Sequence, residues 1–79
     1  MKVNTDDFNR IVGLNIEVKR KRAKMTLEEL AEKLDVTSRT IQNYEKGKGL
    51  SIIVIYKLMK VFNCELDEFF LDLDATLRV

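Results

Sequence analysis

Apolar residues recur at helical spacing in four separate stretches of this chain. Phe8, Ile11, Val12 and Ile16 fall at +3, +4 and +8, one face of a first helix, and Leu14 and Val18 widen it. Asn4-Thr5-Asp6-Asp7 offers cap candidates and acids for its start. Gly13 interrupts the pattern, so the helix either carries a glycine at a cost of about 1 kcal/mol or becomes regular after it. Leu30, Ala31 and Leu34 mark a second helix from Leu27 to about Leu34, opened by Thr26 and Glu29 as a capping box. Ile41 and Tyr44 mark a third, capped by Thr37, running from Ser38 to about Lys46 and ended by Gly47 as a left-handed cap. Ser51 caps a fourth from Ile52 to Phe62, with Ile52, Ile55, Leu58, Met59 and Phe62 as its core face and Asn63 as its left-handed stop.

Two stretches leave alternatives open. Ile53 and Val54 fall off the fourth helix's core face. Beside Leu50 and Ile52 they form either an apolar patch that meets a partner or a surface that packs on the first helix or the tail. In the tail, Leu66, Phe69, Phe70, Leu73 and Leu77 fit a helix, while Leu71, Leu73, Ala75, Leu77 and Val79 alternate with polar residues as a strand would. A short helix from Leu66 to about Phe70 with an extended tail is the preferred reading. A lone strand needs a partner, and the simplest is the same strand of a second subunit.

The second and third helices meet at Asp35-Val36-Thr37, a tight turn with one apolar plug. That is the layout of a helix-turn-helix, over residues 27–46, whose second helix is the kind that enters a DNA major groove.

The chain's 79 residues leave room for one domain, and with no proline and few glycines that domain reads as all-helical. With one cysteine, Cys64, and no histidine, an internal disulfide is excluded and zinc or haem sites lack their usual ligands. Cys64 reads as a small core hydrophobe, and a cytoplasmic setting is expected. No apolar run reaches the roughly 20 residues of a membrane span, so no membrane partner is expected. A net charge of +1 is uninformative, but its distribution is not. Residues 19–48 carry nine basic and five acidic side chains, whereas 63–79 carry one and five, which suits a molecule with one face toward phosphate. In the run Lys19-Arg20-Lys21-Arg22-Ala23-Lys24, a solvated helix end and a phosphate-facing flank are both open.

At Ile16…Arg20…Thr26-Leu-Glu-Glu-Leu-Ala…Val36-Thr-Ser-Arg-Thr-Ile…Tyr44-Glu-Lys-Gly, the chain resembles the helix-turn-helix family of lambda-type phage repressors and Cro, the XRE family. The resemblance runs from about Gly13 to Phe70, and implies an all-α, compact five-helix domain over residues 1–70, with 71–79 as a tail. It further implies a transcriptional repressor that binds palindromic operator DNA as a homodimer. Carried over residue by residue, it places Thr37, Ser38, Arg39, Gln42 and Asn43 at the bases. Their chemistry agrees: Arg39 can fork onto guanine, and Asn43 or Gln42 onto adenine. It places Thr26, Leu27, Lys46 and Lys48 at phosphates, and pairs Glu45 with Arg20 structurally.

Leu27 departs from the pattern, because the family usually carries a phosphate-clamping glutamine there. Glycine is common in the family at Lys24, Asp35 and Asn63, and left-handed backbone at Lys24 would cost roughly 1 kcal/mol. The dimerisation candidates are Leu50, Ile53, Val54, Leu71, Leu73, Leu77 and Val79. A second reading is an antitoxin or antirepressor-like module that keeps the fold and binds a protein partner. An enzyme is not expected, since no histidine, phosphate loop or paired carboxylates meet the requirements of an active site, and no cofactor is implied.

Overall fold

The computed structural model describes residues 3–71. Four α-helices, α1 (Thr5–Arg22), α2 (Leu27–Leu34), α3 (Ser38–Glu45) and α4 (Ile52–Phe62), precede a 3-10 helix, η1 (Leu66–Phe70). The class is all-α. Among the described residues, no helix is long and apolar enough to cross a membrane. Leu73, Leu77, Val79 and the proposed tail strand lie outside the described residues.

Each helix starts on a side chain that its sequence supplies. Asn4, Thr26, Thr37 and Ser51 accept hydrogen bonds from the backbone N–H groups of Asp7, Glu29, Thr40 and Val54. The Thr26 cap is a full capping box, in which the Thr26 N–H donates to Glu29 Oε1 at 2.8 Å. Each helix also stops on a left-handed residue: Lys24, Asp35, Gly47 and Asn63, with φ of 57°, 57°, 84° and 51°. After α2, the Val36 N–H reaches back to the Ala31 carbonyl and the Asp35 N–H to that of Glu32. The same pair of bonds recurs after α1, from Met25 to Arg20 and from Lys24 to Lys21. Lys24 therefore adopts the strained conformation because two orphan carbonyls gain donors in return.

The core is built from Ile16, Leu30, Ile41, Leu58 and Phe69, all fully buried. Each such side chain contributes roughly 1.5–3 kcal/mol of burial. α1 packs on α3 and η1, α2 packs on α3, and α4 closes the remaining side. α1 continues unbroken through Gly13, which touches the end of α3: a Cβ there would lie 2.6 Å from the Glu45 carbonyl oxygen.

Five details differ from the sequence pattern. Leu14 is exposed and does not widen the core face of α1. Ile52 is 89% exposed, because it is the first residue of α4 and projects past the helices that cover the rest of its face. Val54 packs against the core and does not join an exposed patch, whereas Ile53 is exposed. α3 ends at Glu45, one residue early. The short helix expected from Leu66 to about Phe70 is present as η1, but of its apolar stripe Phe69 is buried while Leu66 is exposed.

The C-terminal turn is fastened by residues of α1. Asn15 Nδ2 donates to the carbonyls of Phe69 (2.8 Å) and Leu71 (3.1 Å), and Lys19 Nζ pairs with Glu68 at 2.8 Å while lying 5.9 Å from the Phe69 ring centre. Cys64 is half-buried against the core, and burial pushes its thiol up, which keeps it protonated at neutral pH.

Two carboxylates are held below their ordinary range: Glu68 first by the Lys19 ammonium and then by the Glu65 N–H, and Glu29 by the Thr26 N–H and hydroxyl. A carboxylate lowered by folding stabilises fully above its unfolded value and loses that contribution as pH falls through the folded one. The thermal midpoint is therefore expected to hold from pH 7 down to about 5 and to decline below about 4. Glu68→Gln should show a smaller acid-induced drop than the parent in melts followed by circular dichroism.

Candidate nucleic-acid interface

Helix α3 divides into two faces. Ile41 and Tyr44 are buried against α1 and α2, which turns the opposite face outward. That outer face carries Arg39 and Gln42, both exposed, with Ser38 and Asn43 half-buried at its edges. No carboxylate occupies the first turn of α3. Among the described residues, Arg39, Lys46 and Lys48 form no salt bridge, so their charges face solvent.

Thr37 sits at the N-terminus of this helix with its hydroxyl already engaged. It accepts from the Thr40 N–H at 3.2 Å and lies 2.9 Å from the Thr40 hydroxyl. At the other end, the Lys46–Lys48 loop is shaped by backbone bonds: the Gly47 N–H donates to Tyr44 and the Lys48 N–H to Asn43 at 2.8 Å. Lys46 and Lys48 are both exposed on this loop.

The orientation of α3 is fixed from behind by Arg20. Its Nε donates to Glu45 Oε2 at 2.6 Å, its Nη2 to Glu45 Oε1 at 3.2 Å, and its Nη1 to the Met25 carbonyl at 3.0 Å. One guanidinium thus binds the last residue of α3 bidentately while closing the turn before α2. The side chains are only 11% and 9% exposed, and the hydrogen bonds Arg20 donates to the Glu45 carboxylate, outweighing the cost of burial, hold the Arg20 pKa above its usual value.

The opening of α2 flanks α3. Thr26 is exposed, its hydroxyl accepting from the Glu29 N–H at 3.0 Å. Leu27 is half-buried and packs against the core, so its side chain has an apolar role there and no donor to offer. The basic run at the end of α1 divides its work: Lys19 faces Glu68, Arg20 faces Glu45, and Lys21 pairs with Glu17 at 2.8 Å, leaving Arg22 and Lys24 exposed. The sequence signals Asn15 only by a single amide inside an apolar repeat, and it gives no sign of the apolar hollow beside Ile52, between α1, α4 and η1, lined by Phe8, Ile55, Met59 and Phe70.

Among the other dimerisation candidates, Leu50 is half-buried and Leu71 exposed. Leu50, Ile53 and Val54 do not form one patch, since Val54 lines a small pocket with Leu34, Val36, Tyr44 and Lys57 while Leu50 faces the opposite side of α4.

Residues 16–69 match the family model described as helix-turn-helix. A putative HTH-type transcriptional regulatory protein of Methanoculleus marisnigri is 42% identical over 61 residues, 77% of this chain but only 20% of its own length. The chain therefore spans about a fifth of that relative. Two uncharacterized HTH-type transcriptional regulators of Archaeoglobus fulgidus are nearer in size. One is 44% identical over 48 residues (60% of this chain, 69% of the relative), and the other 39% identical over 61 (73% and 86%).

Proposed function

This chain belongs to the helix-turn-helix family, and we propose that it is a DNA-binding transcriptional regulator that represses from a palindromic operator as a homodimer. The observation that carries the reading is the outer face of α3, a polar, carboxylate-free surface held at a fixed angle by the Arg20–Glu45 pair. The likeness to three HTH-type transcriptional regulators supports the same reading.

Arg39 forks onto guanine O6 and N7, and Asn43 or Gln42 onto adenine N6 and N7, each good bidentate contact being worth roughly 1–3 kcal/mol of discrimination. Ser38 reaches a base edge or a phosphate. Thr37, with its hydroxyl committed to capping, contributes by setting the start of the helix more than by direct contact. Lys46 and Lys48 bind phosphates on one side of α3. On the other side, Thr26 and the first N–H groups of α2, that of Leu27 included, face the backbone. Without a clamping side chain at Leu27, affinity rests more heavily on the lysines and on a second subunit.

Selection from a random 30-base-pair duplex library tests this reading. The enriched sequences are expected to be near-palindromes with half-site centres about 10–10.5 base pairs apart, bound with a steep loss of affinity between 50 and 200 mM salt. Enrichment of no sequence, with binding equal for all duplexes, would refute base reading by α3.

A further inference from the structure

We propose that Lys24, on the turn between α1 and α2, is a further phosphate contact, supplying the cationic donor that Leu27 cannot. This rests on the DNA-binding reading above and extends it by one residue of each subunit. The structure sorts the five cations of the run 19–24 one by one. Lys19 is held by Glu68, Arg20 by Glu45 and Lys21 by Glu17. Arg22 and Lys24 are exposed, and among the described residues neither forms a salt bridge.

These two cations sit on different flanks. Arg22 lines an open hollow with Val61 and Phe62 at the C-terminal end of α4, and no residue of α3 lines that hollow. Lys24 belongs to the segment that Arg20 ties to α3. One guanidinium binds the Met25 carbonyl, next to Lys24, and the Glu45 carboxylate, next to Lys46. The turn bearing Lys24 and the loop bearing Lys46 thus flank one buried bridge, with Thr26 and the opening of α2 beside them.

The backbone at Lys24 is an independent observation. Its φ of 57° lies in the left-handed region. The stops at Asp35, Gly47 and Asn63 carry residue types that enter this region readily, and Lys24 alone does not. Glycine would close the same turn with less strain. Both turn hydrogen bonds, from the Lys24 N–H to the Lys21 carbonyl and from the Met25 N–H to that of Arg20, use backbone atoms only. The fold therefore has no use for a lysine side chain here, and strain that the fold does not need points to function. The electrostatics of the flank supply one. Glu28 and Glu29 stand in the first turn of α2, and Leu27 is apolar and half-buried. Without Lys24, residues 24–29 would present two carboxylates and no cation to the DNA backbone.

Fluorescence anisotropy of the full chain on the library-selected duplex and on a scrambled duplex, from about 50 to about 200 mM salt, tests the inference. Each phosphate contact contributes about 0.9 to the slope of log affinity against log salt, so a dimer that loses Lys24 twice should show a slope shallower by about 1.8. Lys24→Gly keeps the left-handed turn, so its thermal midpoint should rise by about 4–8 °C while its affinity falls. The fold-loss should be the same on both duplexes, because a phosphate contact carries no sequence information. Lys24→Arg should keep the parent slope. Arg22→Gln, which removes the same charge from the other flank, should keep it too. A folded Lys24→Gly with the parent's slope and affinity would overturn the inference. So would equal losses in Lys24→Gly and Arg22→Gln, which would show an effect of net charge and not a contact. If the parent itself binds neither duplex, the DNA-binding reading fails and the inference falls with it, whereas a parent that binds while Lys24→Gly changes nothing removes the inference alone.

Discussion

Gly13→Ala is expected to lower stability by about 3 kcal/mol, the upper end for overpacking, and to drop the thermal midpoint by about 12–24 °C. Helix propensity alone argues the opposite, since alanine in a helix interior is better than glycine by about 1 kcal/mol. Packing decides the sign. A Cβ at Gly13 would lie 2.6 Å from the Glu45 carbonyl oxygen and 2.7 Å from both the Tyr44 carbonyl oxygen and the Gly47 nitrogen. All three are backbone atoms, so no side chain can swing aside. The opposing segment cannot retreat easily either. A Cβ at Gly47 would in turn meet the Asn9 carbonyl oxygen at 2.5 Å, and the Arg20–Glu45 pair ties Glu45 to α1 about two helical turns beyond Gly13. Gly49→Ala is the control: its φ is also positive, at 73°, but its nearest neighbours are Tyr44 ring atoms at 3.7 and 3.9 Å, so only a conformational cost of about 1–2 kcal/mol is expected. Thermal and urea melts of the two variants give the comparison, and a raised midpoint for Gly13→Ala would show that α1 and α3 do not meet this closely.

The second large effect is expected at the Arg20–Glu45 pair. Removing one partner from a buried ion pair strands the other charge, and Glu45→Ala should cost about 3 kcal/mol. Arg20→Ala should cost at least as much, since it also leaves the Met25 carbonyl without the guanidinium donor that closes the α1–α2 turn. Replacing both charges together, as Arg20→Met with Glu45→Leu, is expected to recover most of the loss, because the desolvation cost of both groups disappears with their attraction. A double variant as unstable as the singles would mean that the pair contributes net stability and not mainly orientation. DNA binding supplies the second readout. In a folded double variant α3 loses its bidentate anchor, so affinity for the selected duplex should fall while the helical content is kept.

Most of the fold was legible because local signals agreed with one another. The caps at Thr26, Thr37 and Ser51, the stop at Gly47 and the core residues Leu30, Ala31, Leu34, Ile41 and Tyr44 all sit where period and cap chemistry put them. The misreadings lie where a tertiary neighbour decides. Ile52 and Ile55 are three apart and belong to one stripe, yet only Ile55 has a helix over it; the pattern cannot show where the covering element ends. Gly13 looked like a weak point in a helix and is a contact point between backbones. Lys19 looked like part of a basic run, but Glu68, far along the chain, turns it inward. Of the candidate interface, the polar face of α3 opposite Ile41 and Tyr44 follows from the helical period, whereas the hollow beside Ile52 is built from three segments distant in the chain.

We propose that the outer face of α3 reads bases. The most direct measurement is fluorescence anisotropy of the parent and Arg39→Ala on the library-selected duplex and on a scrambled duplex of the same composition, at one fixed salt concentration. Arg39→Ala should weaken binding to the selected duplex by about 1–3 kcal/mol per half-site and change binding to the scrambled duplex much less, so the ratio between the two collapses. If both duplexes lose affinity equally, Arg39 acts only on phosphates and the assignment of base reading to this face is wrong.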